Sequence, residues 1–216
     1  MLTFVLPTLN EVMGVATVVK EINSLGIPSR ILVVDGESTD GTVAVATKLG
    51  AVAICVKGGK GVAFRAALKR LDAEYAIMVD ADGTYSLEPF ARIALALLTK
   101  ADVVVGYRKF KQRDSMSVLN RVGNSCLSLF ASMLYRRKIY DLCSGLWAFK
   151  VGKVRTFSLT SAGFTLEADL WVNALKSRCR IEQVPIVYRK RLGRPKLRVL
   201  DGFKIGLFLI KRRFWE

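Results

Sequence analysis

Short apolar runs alternate with stretches of helical period through the first half of the chain. Residues 3–6, 30–34, 51–56, 75–79 and 102–105 are rich in Val, Ile and Leu and predict buried strands. Residues 11–24, 39–49, 62–71 and 88–98 read as helices between them. This repeated order predicts an α/β fold: a mostly parallel, doubly wound, Rossmann-like central sheet with helices on both faces. Ligands of such sheets lie beyond the carboxyl ends of the strands. The unusual residues of this sequence fall there, at positions 7–11, 35–41, 80–85 and 106–108.

The second half has a different texture. Over residues 119–135, Leu119, Val122, Cys126, Leu129, Phe130 and Met133 recur at helical spacing opposite Arg121, Asn124, Ser125 and Ser128. Such a stripe fits a core face as well as a membrane contact. A helix over 165–176, a strand over 182–188 and a basic loop over 189–198 follow. Residues 199–216 interleave Leu, Ile, Phe and Trp with Lys and Arg, as interfacial helices do, with a dimer interface as the competing reading. The expected division is therefore a catalytic domain over 1–198 and an amphipathic C-terminal membrane-interface segment over 199–216, with no transmembrane span.

Charge sharpens the contrast between the halves. The 216 residues include 34 Lys and Arg, 18 Asp and Glu and no His, a formal net charge of +16. Residues 1–108 carry 11 basic and 11 acidic side chains; residues 109–216 carry 23 and 7, so the second half holds all the excess. A polyanionic partner follows: nucleic acid, an anionic membrane surface or a phosphorylated substrate. With 51% hydrophobic residues, an extended disordered basic protein is excluded. The lack of His removes His bases, Ser-His-Asp triads and His zinc ligands. Four scattered cysteines without a CxxC pair read as reduced thiols of an intracellular protein, and the opening residues show no leader pattern.

Asp80-Ala81-Asp82 places two carboxylates at the exit of a strand. If the chain stays extended, both reach one hard divalent cation, Mg²⁺ or Mn²⁺, although Asp82-Gly83 is also ordinary turn chemistry. Asp35 ends another strand and can accept hydrogen bonds from a base or ribose, while Ser38, Thr39 or Asp40 caps the next helix. Asn10 has a capping reading too. Gly58-Gly59-Lys60-Gly61 lacks phosphate-loop spacing and reads as a turn leading into a helix.

Taken in order, Pro7-x-x-Asn10-Glu11, Val33-Val34-Asp35-x-x-Ser38-x-Asp40-Gly41-Thr42, Asp80-Ala81-Asp82-Gly83-Thr84-Tyr85 and Gly106-x-Arg108 resemble the family-2 glycosyltransferases of the GT-A fold. Within them the chain is most similar to the polyprenyl-phosphate hexose synthases, typified by dolichyl-phosphate mannose synthase. The similarity continues through Arg121-x-x-x-Ser125, Asp141-x-x-Ser144-Gly145-Leu146, Gly163-Phe164-x-x-Glu167, Val184-Pro185-Ile186 and Gly193-x-x-Lys196-Leu197. The resemblance implies that Pro7, Leu9, Glu11, Val33 and Asp35 surround the nucleotide, and that Asp80 and Asp82 hold its diphosphate through the metal, with Ala81 contributing backbone. It further implies that Arg108, Arg121 and Ser125 bind the acceptor phosphate and that Glu167 contacts the donor sugar. Lys196 and a basic residue among Arg189, Lys190 and Arg191 would close over the phosphates. Gly36 stands where the family usually has a second aspartate, and Thr84 where it often has a metal-contacting Gln.

A phosphate acceptor also suits the residues present. A hydroxyl acceptor needs a positioned base. A phosphate monoester, with a second pKa of about 6, is already largely dianionic at neutral pH and needs orientation and charge screening instead. The expected activity is inverting transfer of a hexose to dolichyl or another polyprenyl phosphate, by a peripheral protein on the cytoplasmic side of a membrane. Mannose from GDP-mannose is the first donor, UDP-glucose or UDP-N-acetylglucosamine the alternative. A separate membrane subunit or a homo-oligomer is compatible with this reading. The rivals are a sugar-1-phosphate nucleotidyltransferase, whose Gly-rich basic loop after the first strand is missing, and a basic nucleic-acid-binding protein, for which no reading motif is present.

Overall fold

The computed structural model describes residues 1–193 and 199–215, apart from the side chain of Val199. Lys196, Leu197 and the rest of 194–198 lie outside the described residues, as does Glu216. Seven strands form one sheet in the order β3-β2-β1-β4-β6-β5-β7: β1 (Leu2–Thr8), β2 (Ser29–Asp35), β3 (Val52–Cys55), β4 (Tyr75–Met78), β5 (Val103–Lys111), β6 (Trp147–Lys150) and β7 (Ile181–Tyr188). All neighbours pair in parallel except β6, which runs antiparallel between β4 and β5. The five strands expected in the first half are all present. β6 was not expected, because its four residues lead straight into the short helix α6 (Val151–Val154) and show no period of their own. β5 runs on to Lys111 because β7 pairs along its whole length, with an irregularity between Arg108 and Phe110.

Helices α1 (Val12–Ser24), α2 (Thr42–Lys48), α3 (Lys60–Arg70) and α4 (Phe90–Thr99) connect the strands of the first half. α5 (Val118–Tyr135), α7 (Leu166–Lys176) and α8 (Val199–Phe214) complete the structure. Period-two alternation along β1 sends Phe4 and Leu6 to one face and Val5 to the other, so each face has its own core. One contains Val15, Val19, Ile22 and Ile93. The other holds Phe64, Phe149, Trp147 and Trp171, the two indoles meeting edge to face at 5.4 Å. Ile205 and Leu209 bury α8 in this second core, and α8 lies beside α5, with Tyr135 donating its hydroxyl hydrogen to the Leu209 carbonyl at 3.0 Å.

The strand order reverses around β1, with β2 on one side and β4 on the other. Such a switch point opens a crevice at the carboxyl ends of the strands, which is where Pro7 stands in the last residues of β1 and where Asp80 and Asp82 follow β4.

Candidate active site

Asp80 and Asp82 stand on the turn after β4, which Gly83 completes at φ +77°. Thr84 fixes one carboxylate: its backbone N–H and its hydroxyl donate to Asp82 Oδ1 at 3.0 and 2.5 Å. Two glycines let other segments close on this turn. A Cβ at Gly14 of α1 would lie 2.3 Å from the Ala81 carbonyl oxygen, and one at Gly145 would lie 2.2 Å from Asp80 Oδ2.

Each carboxylate carries a protein cation. Lys60, the first residue of α3, places Nζ 2.5 Å from both Asp80 Oδ1 and Glu167 Oε1. Burial alone would lower the Lys60 pKa, but Asp80 and Glu167 outweigh it and hold the ammonium charged. Glu167, at the start of α7, is pushed upward by burial, with Lys60 pulling down and Asp80 adding repulsion. Arg191 donates to Asp82 Oδ2 at 2.6 Å and also pairs with Glu11.

A cavity of about 310 Å³ has Pro7, Leu9, Glu11, Lys60, Asp80, Asp82, Phe164 and Glu167 in its wall. A second, of about 490 Å³, runs between Leu119, Gly123 and Leu127 of α5 and Gly202 and Ile205 of α8. Arg108, Cys143, Tyr188, Arg191 and Ile205 belong to both walls, so the two cavities are contiguous. Arg108 is locked in place: Asp141 accepts from its Nε and Nη2, each at 2.6 Å, and from its backbone N–H at 3.0 Å, while Tyr188 offers its ring face at 5.2 Å. Burial works against the Asp141 carboxylate, yet Arg108 and the hydrogen bonds hold its pKa below the usual range. Burial raises the Cys143 thiol to about 12, so it stays protonated.

The expected site residues divide. Pro7, Leu9, Glu11, Asp80, Ala81, Asp82, Arg108, Glu167 and Arg191 converge on the first cavity, and Lys190 lines the second. Val33 is fully buried in the core and lines neither. Asp35 is also turned inward, accepting from Thr8 Oγ1 and from the hydroxyl and N–H of Ser38. Arg121 and Ser125 are exposed on α5 and line neither cavity, because Asn120, Gly123, Asn124 and Leu127 occupy the inward turns of that helix. Arg189 is drawn away to Glu21 and Ser86. Asn10 does not cap α1; at φ +50° its side chain accepts from Thr39 N–H. α2 begins at Thr42 after Gly41, and Asp40 accepts from Thr42 N–H and Val12 N–H. The residue missed from sequence is Lys60, whose partners lie 20 and 107 positions away.

The residues fit a divalent cation. Asp80 and Asp82 are hard oxygen donors in one cavity, and the missing side chain at Gly145 leaves the Asp80 carboxylate room beside the backbone. Among the described residues no group of three or more His, Cys, Asp or Glu is arranged to hold a metal. Two protein ligands, completed by substrate phosphates and water, match Mg²⁺ or Mn²⁺ habits.

The family model for glycosyl transferase family 2 matches residues 3–159. The chain belongs to that family. It is a glycosyltransferase, and its architecture is the GT-A fold. The chain is 34% identical over 188 residues to "Glycosyltransferase AglJ" of Haloferax volcanii, covering 86% of this chain and 62% of that protein. It is 31% identical over 213 residues to a "Dolichyl-phosphate hexose transferase" of the same organism, covering 97% and 92%. This chain therefore spans less than two thirds of the first relative and nearly all of the second. A solved glucosyl-3-phosphoglycerate synthase from Mycobacterium tuberculosis, in complex with Mn²⁺, uridine diphosphate and phosphoglyceric acid, superimposes with a TM-score of 0.77 at 21% identity, covering 98% of this chain and 76% of that one.

Proposed function

We propose that this family-2 glycosyltransferase moves a hexose from a nucleotide sugar to a polyprenyl phosphate with inversion. One observation carries the reading: two contiguous cavities, one walled by carboxylates and one by cations and aliphatic side chains, meet at Arg108 and Arg191. The carboxylate side suits a metal-bound diphosphate. The other suits an anionic head with an apolar tail. The relative named for dolichyl-phosphate hexose transfer, matched over nearly its whole length, agrees with this division.

In this reading Pro7, Leu9 and Glu11 border the nucleotide, and Asp35 shapes that wall through Thr8 and Ser38 instead of touching the base. Glu167 faces the donor sugar, held by Lys60. Asp80 and Asp82 would hold Mg²⁺ or Mn²⁺, which supplies charge neutralisation for the departing nucleoside diphosphate. Arg108, pre-oriented by Asp141, and Arg191 orient the acceptor phosphate, with Lys190 near the outer wall. A dianionic phosphate attacks without a protein base, so the chemistry needs no histidine. Arg121, exposed on α5 outside both cavities, contributes through its charge at longer range. A lipid acceptor puts the protein at a membrane surface, on the cytoplasmic side where nucleotide sugars are made.

A donor panel of GDP-mannose, UDP-glucose and UDP-N-acetylglucosamine against dolichyl phosphate with Mn²⁺ tests the proposal. GDP-mannose is the expected donor, and Asp82→Ala is expected to abolish transfer in a folded protein. Transfer to none of the pairs, or tight binding to random DNA in its place, would refute it.

A further inference from the structure

The inward stripe of α8 reads Ile205, Leu209 and Arg212 at helical spacing, so a cation stands where a third apolar side chain would be expected. Arg212 is 5% exposed, and its partner Asp169 on α7 is fully buried. Arg212 Nη2 lies 3.4 Å from Asp169 Oδ1 and donates to the Ser158 carbonyl at 3.1 Å. A buried pair of this kind is a poor source of stability, because the cost of taking both charges out of water offsets their attraction. What it does fix is the position of everything else its members hold.

Asp169 holds a loop. Its Oδ2 accepts from Thr160 N–H at 2.7 Å and from Ser161 N–H at 2.8 Å, and Asn173, one turn further along α7, accepts from Ser158 N–H at 2.9 Å. Residues 158–161 are thus pinned to α7. On its other side the loop meets the start of α3. The Gly61 and Val62 N–H groups donate to the Ala162 carbonyl at 3.1 and 3.3 Å, and Arg65 donates to the Ser161 carbonyl. A Cβ at Gly59 would lie 2.5 Å from the Ala162 carbonyl oxygen and one at Gly61 2.3 Å from that of Ser161, so the approach leaves no slack. Lys60 lies between these two glycines, and Glu167 precedes Asp169 by two residues. Both members of the Lys60–Glu167 pair are therefore seated on elements that the loop joins, and Gly163 and Phe164 at its end line the first cavity.

We infer that Arg212 is a positioning residue for the donor site: through Asp169 and the 158–163 loop it sets the start of α3 against the start of α7, and with them the placement of Lys60 and Glu167. Arg212 itself lines neither cavity. Naming the occupant of the first cavity as a nucleotide sugar rests on the proposed function; the link from Arg212 to the loop does not.

Two readouts on the full chain test it. In amide hydrogen exchange, Arg212→Met is expected to speed exchange at Ser161, Gly61 and Val62 at least about tenfold, while amides of β1 and β4 keep their rates. By calorimetry without acceptor, the same variant should bind UDP or GDP with Mn²⁺ at least about tenfold more weakly. Arg212→Lys, which keeps the charge but not the two-point reach, should bind about threefold more weakly, and it serves in both measurements if the methionine variant does not fold. Lys60→Met should also lower this affinity, and adding an Arg212 substitution to it should cost little more, because both act through one group. In transfer, Arg212→Lys should raise donor KM and leave acceptor KM alone. Lys204→Met, which removes an exposed charge from the same helix, is the control and should change none of these. Unchanged exchange at the loop or unchanged nucleotide affinity would overturn the inference, as would full additivity with Lys60→Met or an equal rise in acceptor KM. Faster exchange at the loop in a protein whose wild type binds neither nucleotide would uphold the link and refute the proposed function.

Discussion

Arg191 donates to Asp82 across 2.6 Å although it lies 109 residues further along the chain, and it also engages Glu11. A cation bound by Asp80 and Asp82 must compete with Arg191 for one carboxylate and with Lys60 for the other. A nucleoside diphosphate arriving with the metal would give both side chains new anionic partners. Mn²⁺ alone is therefore expected to bind weakly and GDP or UDP to tighten it. Arg191→Gln should strengthen nucleotide-free Mn²⁺ binding about tenfold, roughly 1.4 kcal/mol by calorimetry, while slowing transfer. An unchanged Mn²⁺ affinity would refute the competition.

The contact between Gly145 and Asp80 makes a different demand. Because a Cβ at 145 would sit 2.2 Å from Asp80 Oδ2, Gly145→Ala has to displace the carboxylate or the backbone behind it. Loss of at least about 100-fold in kcat/KM is expected, roughly 2.7 kcal/mol, together with loss of Mn²⁺-nucleotide affinity. Gly152→Ala in α6, where a Cβ would have no neighbour within 4 Å, serves as the control and should leave both unchanged.

Arg108 and Arg121 separate contact from field. Arg108→Lys keeps the charge but loses the two-point grip of Asp141, so acceptor KM and kcat should both worsen, by about tenfold or more. Arg121→Ala removes an exposed charge outside both cavities. Its effect should be smaller, confined to acceptor KM and erased by raising the salt concentration. Equal kcat losses in the two variants would place Arg121 in the site after all.

Acid stability should report Asp102. Hydrogen bonds from Arg180, with added attraction from Arg180 and Lys150, depress its pKa to about 2 against the burial that opposes them. A depressed folded-state pKa stabilises the protein above the unfolded value, near 4, and this contribution is lost as pH falls toward 2. Asp102→Asn is expected to cost about 1–2 kcal/mol at pH 7, discounted for the exposed Arg180, and little at pH 2. Denaturant titrations at the two pH values check the sign.

Much of this was legible along the chain, for a local reason. Asp80, Asp82 and Arg108 each follow or extend an apolar run, and a strand that ends at a switch point must present such residues to the crevice. The same reasoning did not find β6, whose four residues acquire a partner on each side only when β4 and β5 flank them. Gly58-Gly59-Lys60-Gly61 reads locally as a turn, and nothing nearby says that Lys60 will meet Glu167. Three basic residues in a row, Arg189, Lys190 and Arg191, are interchangeable as letters; the fold turns one to Glu21, one to the second cavity and one to Asp82.

The amphipathic stripes of α5 and α8 show the same division. Their periodicity and charge were determined by sequence alone, because helical spacing is a property of the neighbouring residues themselves. Whether the stripes met each other, the core or water depended on helix packing over 74 residues of separation, as the Tyr135 to Leu209 hydrogen bond records. Only the tertiary structure could decide it, because burial is a relation between surfaces that the chain brings together from afar.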